Sequence, residues 1–280
     1  MKQKRIVTVQ DISCLGKCSL TVALPILSAM DLEACVIPTA VLSTHTGGFS
    51  GYTFRDLTAD ISPILDHWEK EGFTFDAVYT GYLGSAEQCR LMVELFDRFG
   101  TEDNLIFVDP AMADHGKLYA GFSADFPLEM RKVCAKADVI DPNLTEACLM
   151  LGIDFPEKNG YTEDWVKDVL KKLCAMGCKK AIVTGIIFGD RQGAMEYDRT
   201  TDTFASYFRE NVPASFHGTG DIFSSALCGA LVKGQEMEQA LKTAVDFTVC
   251  AIQKTAKDPD HPTYGVRFEA ALPQLIKACE

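Results

Sequence analysis

The sequence predicts a doubly wound α/β fold, in which a mostly parallel central sheet has helices on both faces and an antiparallel hairpin at one edge. Short runs rich in β-branched residues alternate with longer amphipathic stretches along the chain. Such alternation is typical of parallel strands joined by right-handed helical crossovers. The 280 residues, of which 47% are hydrophobic, can bury one large core. We therefore expect a single domain over residues 1–280.

The predicted elements follow one another regularly. The runs expected to form buried strands are, in chain order, 5–9, 36–42, 77–79, 105–108, 138–140 and 181–184. The stretches expected to form helices are 20–30, 61–70, 87–99, 127–136, 163–176 and 223–232. Pro25 would remove a hydrogen bond inside the first helical stretch, so we expect a kink or a late helix start there. The runs 194–197 and 203–208 flank a polar turn and predict the edge hairpin.

The net charge and the cysteine content limit which binding partners and which cellular compartment are expected. The formal net charge is −12 and the basic residues are scattered, whereas nucleic acids and anionic membranes are bound through clustered positive charge. Neither is therefore expected as a partner. An acidic protein can still bind a nucleotide where main-chain N–H groups and a metal ion supply positive potential. The 11 cysteines, most in apolar stretches and without paired CxxC spacing, predict free structural thiols in a cytoplasmic protein.

Polar residues collect directly after the predicted strands. In an open parallel sheet, ligands bind beyond the carboxyl ends of the strands, so these residues are candidates for a site. They are Asp11 and Ser13, then Ser43, His45 and Thr46, then Tyr82, then Asp109 and Asp114, then Asn143 and Glu146, and finally Thr184 and Gly185.

The strongest local signal is the string His-Gly-Thr-Gly-Asp, which ends at Asp221 and directly precedes an apolar helix. Main-chain N–H groups of Gly218, Thr219 and Gly220 can converge at the helix N-terminus, where they and the helix dipole suit a transferred phosphoryl group. Asp221 could then accept the proton of an attacking hydroxyl. The alternative is that the glycines form an ordinary turn and Asp221 caps the helix.

Acidic residues at two other strand ends suggest a cation site. Asn143 and Glu146 are spaced for a capping box, and Glu146 could also hold a magnesium-bound water. Asp109 and Asp114 suit a cation near nucleotide phosphates, with Asp114 on the magnesium side and Asp109 in a structural or monovalent-cation role. Lys117 could add positive charge, although a lone lysine on a loop is more often simply solvated.

Several motifs resemble those of the pyridoxal/pyridoxamine kinase family in the ribokinase-like superfamily. The GTGD string resembles the C-terminal signature of ribokinase-like kinases, and Asn143 with Glu146 matches their NxxE pattern. Residues 109–119 resemble the stretch DPVMGDxGxLY of pyridoxal kinases, residues 43–48 resemble SNHT(G/Q), and residues 80–85 resemble TGYLGS. The resemblance covers almost the whole chain, in the family's order and with its spacings.

The resemblance implies ATP-dependent phosphorylation of the 5′-hydroxymethyl group of pyridoxal, pyridoxamine or pyridoxine, with Asp221 as the base. It implies Mg²⁺ as cofactor and, from the family alone, a monovalent cation such as K⁺ and a homodimer. The loop 113–122 would be a flap over ATP and substrate. The remaining roles are substrate binding by Asp11, Ser13, Ser43, His45, Thr46 and Tyr82, nucleotide binding by Asp109, Asn143, Thr184, Gly185, Lys117 and Tyr119, and metal binding by Asp114 and Glu146.

The first loop departs from the best-known pyridoxal kinases. Asp11 stands where they carry a serine, and hydroxymethylpyrimidine kinases have an aspartate and a serine in this loop. A hydroxymethylpyrimidine kinase therefore stays open as an alternative, as does a protein that binds a B6 vitamer without turnover. His45 could also be an ordinary satisfied polar group. We assign no role to His217 or to the tail from Thr255 onward.

Overall fold

The structure is a computed structural model that describes residues 2–156, 160–261 and 264–279. Contacts cluster it into two compact units, the first formed by Met1–Ala77 and Val212–Glu280 and the second by Val78–Asn211. The predicted fold class is confirmed, since the fold is α/β with a mostly parallel sheet, antiparallel strands and helices. The assignment of residues 1–280 to a single domain stays a prediction.

The described residues contain eleven strands and nine α-helices. The strands are β1 (Arg5–Ser13), β2 (Glu33–Leu42), β3 (Phe54–Asp56), β4 (Ala77–Thr80), β5 (Leu105–Val108), β6 (Ala113–Asp114), β7 (Lys117–Leu118), β8 (Val139–Ile140), β9 (Lys180–Phe188), β10 (Arg191–Asp198) and β11 (Thr203–Glu210). The helices are α1 (Leu20–Ala29), α2 (Thr58–Lys70), α3 (Ala86–Phe99), α4 (Phe126–Cys134), α5 (Leu144–Leu151), α6 (Glu163–Ala175), α7 (Thr219–Val232), α8 (Met237–Ala256) and α9 (Leu272–Ala278). A 3-10 turn over Phe268–Ala271 precedes α9.

All six predicted strands are present, as β1, β2, β4, β5, β8 and β9, and the predicted hairpin is β10 and β11. The late helix start considered at Pro25 is not observed, because α1 begins at Leu20 and continues through the proline. Six observed elements were not among the predicted strands and helices: β3, β6, β7, α5, α8 and α9.

The first unit is organised around the parallel pair β1 and β2, with β3 antiparallel to β2. Helix α7 is apolar almost all round and buried from Ile222 to Ala230, which is the pattern of a core helix. Gly229 lets it approach α1 closely, since a Cβ there would overlap the sulfur of Met30. Packing along the whole of α7 therefore fixes the position of its first turn.

The second unit contains a sheet with the strand order β11, β10, β9, β8, β5 and β4. Strands β5, β8 and β9 are parallel, whereas β10 and β11 are antiparallel. Asp109 directly follows β5 and Asn143 follows β8 at the carboxyl edge of these parallel strands. Thr184 and Gly185, which were expected just beyond a strand, instead lie within β9, because that strand continues to Phe188. Within the described residues, none of the helices has the length and apolar character needed to cross a bilayer.

Glu196 on β10 is a buried acid that makes stability depend on pH. Its side chain is 2% exposed, and burial raises its pKa to about 7, with the charge of Lys180 opposing and that of Asp198 adding to the increase. The folded protein therefore holds a proton that the unfolded chain releases near its ordinary pKa of 4.5, so this residue lowers stability progressively as pH rises from 4.5 to 7.

We expect Glu196→Gln to raise the free energy of unfolding by about 1–2 kcal/mol at about pH 8 and to change it little at about pH 4. Urea unfolding at both pH values measures this difference. The exposed Glu210→Gln on β11 is the matched control and should show no such pH dependence. A Glu196→Gln effect that is the same at both pH values would contradict the interpretation.

Candidate functional site

The N-terminus of α7 is shaped by a glycine in the left-handed conformation. Gly218 is the N-cap with φ +80°, and Asp221 lies in the first turn. A Cβ on Gly218 would overlap the main-chain carbonyl oxygen of Lys17, so only glycine lets the helix start against the loop that follows β1. The first N–H groups of a helix lack intrahelical acceptors, and here they belong to the predicted anion hole at Thr219 and Gly220.

The end of β1 and the start of α7 place two carboxylates, Asp11 and Asp221, in one neighbourhood of the first unit. Asp11 and Ser13 were expected just beyond the first strand, but β1 continues to Ser13 and includes both. Ser13 Oγ donates to Asp11 Oδ2 at 3.1 Å, and Cys18 Sγ donates to Ser13 Oγ at 3.5 Å. Burial and then the negative charges of Asp221 and Asp11 raise the pKa of Cys18. The thiol thus lies within electrostatic range of both acids, so Asp11, Ser13 and Asp221 share one neighbourhood. Their roles in a site stay predictions.

Asp11 is a buried carboxyl group with 5% of its surface exposed. Burial raises its pKa, and hydrogen bonds from Ser19 and Ser13 partly offset the increase. A carboxyl group with a raised pKa can donate a hydrogen bond as well as accept one. This residue can therefore recognise either a basic ring nitrogen or a hydroxyl group.

The three predicted site residues in the loop that follows β2 differ in their exposure and in their hydrogen-bond partners. Ser43 Oγ accepts a hydrogen bond from Thr53 N at 2.9 Å, where the chain turns from β2 towards β3. His45 is buried and both of its ring nitrogens bond to main-chain groups, whereas Thr46 is exposed. Substrate contact by Ser43, His45 and Thr46 stays a prediction.

In the second unit, Asn143 and Glu146 form the capping box that their spacing allowed. Asn143 Oδ1 accepts from Glu146 N at 3.0 Å, and Glu146 Oε2 accepts from Asn143 N at 2.9 Å. The other carboxylate oxygen of Glu146 accepts from Met112 N at 3.0 Å and Ala113 N at 3.4 Å. Asn143 Nδ2 donates to Ala113 O at 2.8 Å. The start of α5 and the loop that follows β5 are thereby joined into one structure.

Asp109 and Glu146 are two buried acids that repel each other. They are 7% and 3% exposed. Burial and then the charge of Asp109 raise the pKa of Glu146 well above its ordinary range, and its main-chain N–H bonds only partly offset this. Asp114 is instead exposed on β6, where its carboxylate accepts from His115 N at 2.7 Å. Asp109, more than Asp114, shares the buried surroundings of Glu146.

The predicted flap begins as the β6–β7 hairpin. His115 and Gly116 form its turn with φ +49° and +76°, a pair of positive values typical of two-residue hairpin turns. Gly116 N donates to Thr145 Oγ1 on α5 at 3.0 Å, and Tyr119 N donates to Met112 O at 2.9 Å. Lys117 and Tyr119 are exposed on this hairpin and just beyond it. Its motion as a flap stays a prediction.

Tyr82 lies beside an aromatic pair that the sequence analysis missed. Its ring centroid is 5.6 Å from that of Phe122, and Phe122 stacks on Phe126 at 4.0 Å.

Thr184 N donates to Pro142 O at 3.1 Å, which joins β9 to the segment before α5. Gly185 has φ +69° and open space where a Cβ would stand, so the main chain there is accessible.

Other contributors were also missed. Cys18 gave no sequence signal beyond being one of eleven cysteines. Tyr264 acts through its main-chain carbonyl, which accepts from His45 Nε2 at 2.9 Å and from Lys17 N at 3.4 Å. His217, to which we assigned no role, lies with its ring 5.3 Å from that of His45. Its place directly before the GTGD string was the one available signal.

Comparison with known proteins supports a kinase assignment. The family model described as phosphomethylpyrimidine kinase matches residues 24–263. The pyridoxine/pyridoxal/pyridoxamine kinase of Bordetella avium is 28% identical over 268 residues, which cover 89% of this chain and 85% of that protein.

Two solved structures are similar over nearly the whole chain. One is a Bacteroides thetaiotaomicron protein assigned as a phosphomethylpyrimidine kinase and crystallised with pyridoxal, with a TM-score of 0.92, 36% identity, and coverage of 98% of this chain and 96% of that one. The other is the pyridoxal kinase of Lactobacillus plantarum, with a TM-score of 0.88, 28% identity, and coverage of 98% and 97%.

Proposed function

The chain belongs to the phosphomethylpyrimidine kinase family and is a pyridoxal kinase-like phosphotransferase of ribokinase-like fold, and we propose that it phosphorylates the 5′-hydroxymethyl group of a B6 vitamer with ATP. The acceptor would be pyridoxal, pyridoxamine or pyridoxine. The product would be the corresponding 5′-phosphate, as in salvage of the vitamin.

The observation that carries this proposal is the position of Asp221 in the first turn of α7, within electrostatic range of the same thiol as Asp11. In the proposed reaction Asp221 accepts the proton of the acceptor hydroxyl, whose oxygen forms a bond to the γ-phosphorus while the bond to ADP breaks. N–H groups at Gly218, Thr219 and Gly220 would bind the oxygens of the transferred group.

Asp11 supports recognition of a nitrogen heterocycle. Because its pKa is raised by burial, it can donate to a ring nitrogen or a phenolate oxygen, and when ionised it can accept from a hydroxyl. Ser13 holds its carboxylate through the 3.1 Å hydrogen bond. Tyr82 stays the predicted aromatic contact for the ring.

The second unit carries the residues proposed for the nucleotide and the metal. No group of three or more His, Cys, Asp or Glu side chains in residues 2–156, 160–261 and 264–279 is arranged to hold a metal ion. Mg²⁺ needs fewer, because it binds through one or two carboxylates, phosphate oxygens and water. Burial and then the charge of Asp109 raise the pKa of Glu146, and a bound cation would offset both effects, so these two residues fit the ion.

When bound, Mg²⁺ would neutralise charge on the phosphates of ATP. Asp114, Lys117 and Tyr119 stay predicted contacts on the hairpin, and Thr184 and Gly185 stay predicted neighbours of the nucleotide. K⁺ and a homodimer are proposals that rest on the family resemblance.

We expect Glu146→Gln to weaken the apparent affinity for Mg²⁺ by about 10- to 100-fold, since side chains that orient a metal's water ligands affect its binding by that much. The measurement is ADP formation as a function of Mg²⁺ at fixed ATP. Glu163→Gln, in the first turn of α6, is the matched control. An unchanged Mg²⁺ dependence in Glu146→Gln would confine this residue to the capping box.

Phosphorylation of hydroxymethylpyrimidine is the second candidate. It is favoured by Asp11 near the end of β1 and by the description of the matching family model. The motifs at Ser43–Thr46 and Tyr82, which resemble those of pyridoxal kinases, favour the B6 vitamers instead.

The test is ADP release by purified protein with Mg-ATP and, in turn, pyridoxal, pyridoxamine, pyridoxine and hydroxymethylpyrimidine. We expect turnover with at least one B6 vitamer at a higher kcat/KM than with the pyrimidine. Preference for the pyrimidine would move the assignment to the second candidate. Binding of a vitamer without ADP release would identify a protein that binds the vitamer and does not phosphorylate it.

A further inference from the structure

We propose that His45 is a positioning residue, which fixes the two acceptor loops against the start of α7 through its ring nitrogens and ring faces. The acceptor loops are residues 14–19, after β1, and residues 43–49, after β2. This inference rests on the proposed function only in its kinetic test. It departs from the expectation that His45 contacts the substrate ring.

Both ring nitrogens of His45 are engaged by main-chain groups. Gly47 N donates to Nδ1 at 3.1 Å, so Nδ1 is an acceptor and the ring proton lies on Nε2. Nε2 then donates to Tyr264 O at 2.9 Å. A side chain whose two polar atoms are both satisfied, and which is 6% exposed, has no hydrogen-bonding atom left for a ligand.

The faces of the same ring contact both acceptor loops and the approach to α7. A Cβ on Gly16 would overlap the imidazole, so the first loop passes directly against it. Phe49 meets the ring edge-on at 5.1 Å, and His217 lies 5.3 Å away. His217 directly precedes Gly218, the N-cap of α7. One imidazole thus contacts the acceptor loops, the C-terminal tail and the residue before the anion hole.

The tail that receives the Nε2 proton is itself bound to the first acceptor loop. Tyr264 O also accepts from Lys17 N at 3.4 Å. The ammonium group of Lys17 contacts both carboxylate oxygens of Glu269 at 2.7 Å and lies 5.5 Å from the ring centroid of Phe268. Gly265 packs on the side chain of Lys17, where a Cβ would be too close. The segment 264–269 therefore anchors the carbonyl on which His45 depends.

The kinetic test compares three replacements of His45. His45→Ala removes both hydrogen bonds, His45→Asn keeps an acceptor near Nδ1, and His45→Gln keeps a donor near Nε2. We expect His45→Ala to raise the KM of the acceptor by about 10- to 100-fold, since two buried partners are left unsatisfied. The asparagine and glutamine variants should each recover part of that loss, while the KM of ATP stays within about twofold.

A variant outside the ring tests the anchor. Glu269→Gln weakens the contact to Lys17 and should raise the acceptor KM in the same direction by about two- to fivefold, because the ion pair is partly exposed. The matched control is Glu129→Gln, which weakens the 2.7 Å pair with Lys132 on α4 and should leave both KM values unchanged.

Two measurements need no turnover and separate failure of this inference from failure of the proposed function. The ¹⁵N spectrum of the imidazoles should show His45 with its proton on Nε2. Hydrogen exchange of the Gly47 and Lys17 amides should accelerate in His45→Ala and, for Lys17, in Glu269→Gln. A proton on Nδ1 in the wild-type protein, or unchanged exchange in His45→Ala, overturns the positioning role even if the kinase is active. A large rise in acceptor KM with normal exchange would make His45 a substrate ligand.

Discussion

The Asp221→Asn variant should lose about 10²- to 10⁴-fold in kcat, which is the contribution that a general base makes to proton transfer. Asparagine preserves the size of the side chain and still suits the first turn of α7, so the loss should come from the missing base. The KM values for ATP and acceptor should change little, because the main-chain N–H groups at Gly218–Gly220 remain. Initial rates at saturating ATP, with the acceptor varied, measure both parameters.

A matched control isolates the base from a general effect of charge at a helix start. Asp60 occupies the first turn of α2 in the same unit, and it is exposed. Asp60→Asn should leave kcat unchanged and lower stability by less than about 1 kcal/mol through the helix dipole. If Asp221→Asn behaves like Asp60→Asn, then Asp221 is only a favourable charge at the start of α7.

Gly218→Ala should reduce activity to about 1% of the wild-type value or less and lower the free energy of unfolding by about 2–4 kcal/mol. Two costs combine at this position. The left-handed φ of +80° disfavours a side chain, and the added Cβ would overlap the carbonyl oxygen of Lys17. Relief requires the start of α7 or the first acceptor loop to shift, which displaces the N–H groups proposed to bind the phosphoryl group. Urea unfolding and the ADP-release assay report the two effects.

The other end of α7 provides the control for Gly218→Ala. Gly234 is also left-handed, with φ +90°, but a Cβ there meets no atom within 4 Å. Gly234→Ala should therefore cost only the conformational part, about 1–2 kcal/mol, and keep normal turnover. Equal effects of the two substitutions on both assays would show that the contact with Lys17 does not position the anion hole.

The elements that sequence patterns predicted are those with a strong local signal. Strands β1, β5 and β9 contain consecutive β-branched and other apolar residues. Such continuous apolar runs are typical of parallel strands, whose two faces are both covered. Strands β6 and β7 have only two residues each and are too short to show any period. Helix α8 carries apolar residues at helical spacing, at Leu241, Val245 and Ile252, but the sequence analysis predicts no helix in this segment.

The residues of the candidate site also fall into two groups, those that a local motif predicts and those that only the folded structure shows. Motifs predicted roles for Asp221, Glu146 and Asp109 because phosphoryl transfer needs particular side chains at particular spacings. Tyr264 could not be located, because its contribution is a main-chain carbonyl that every residue possesses. The burial that raises the pKa of Asp11 also depends on long-range packing, which no local pattern reports.

The first unit is discontinuous in the chain, since Met1–Ala77 and Val212–Glu280 are separated by the whole of the second unit. During synthesis the second unit is complete well before the ribosome reaches Tyr264, and a continuous unit can fold as it emerges. The first unit cannot, because α7 and the carbonyl that holds His45 are still missing. The first unit, which contains the proposed base Asp221, is therefore the last to assemble on the ribosome, and a nascent chain exposes the acceptor loops until the tail arrives.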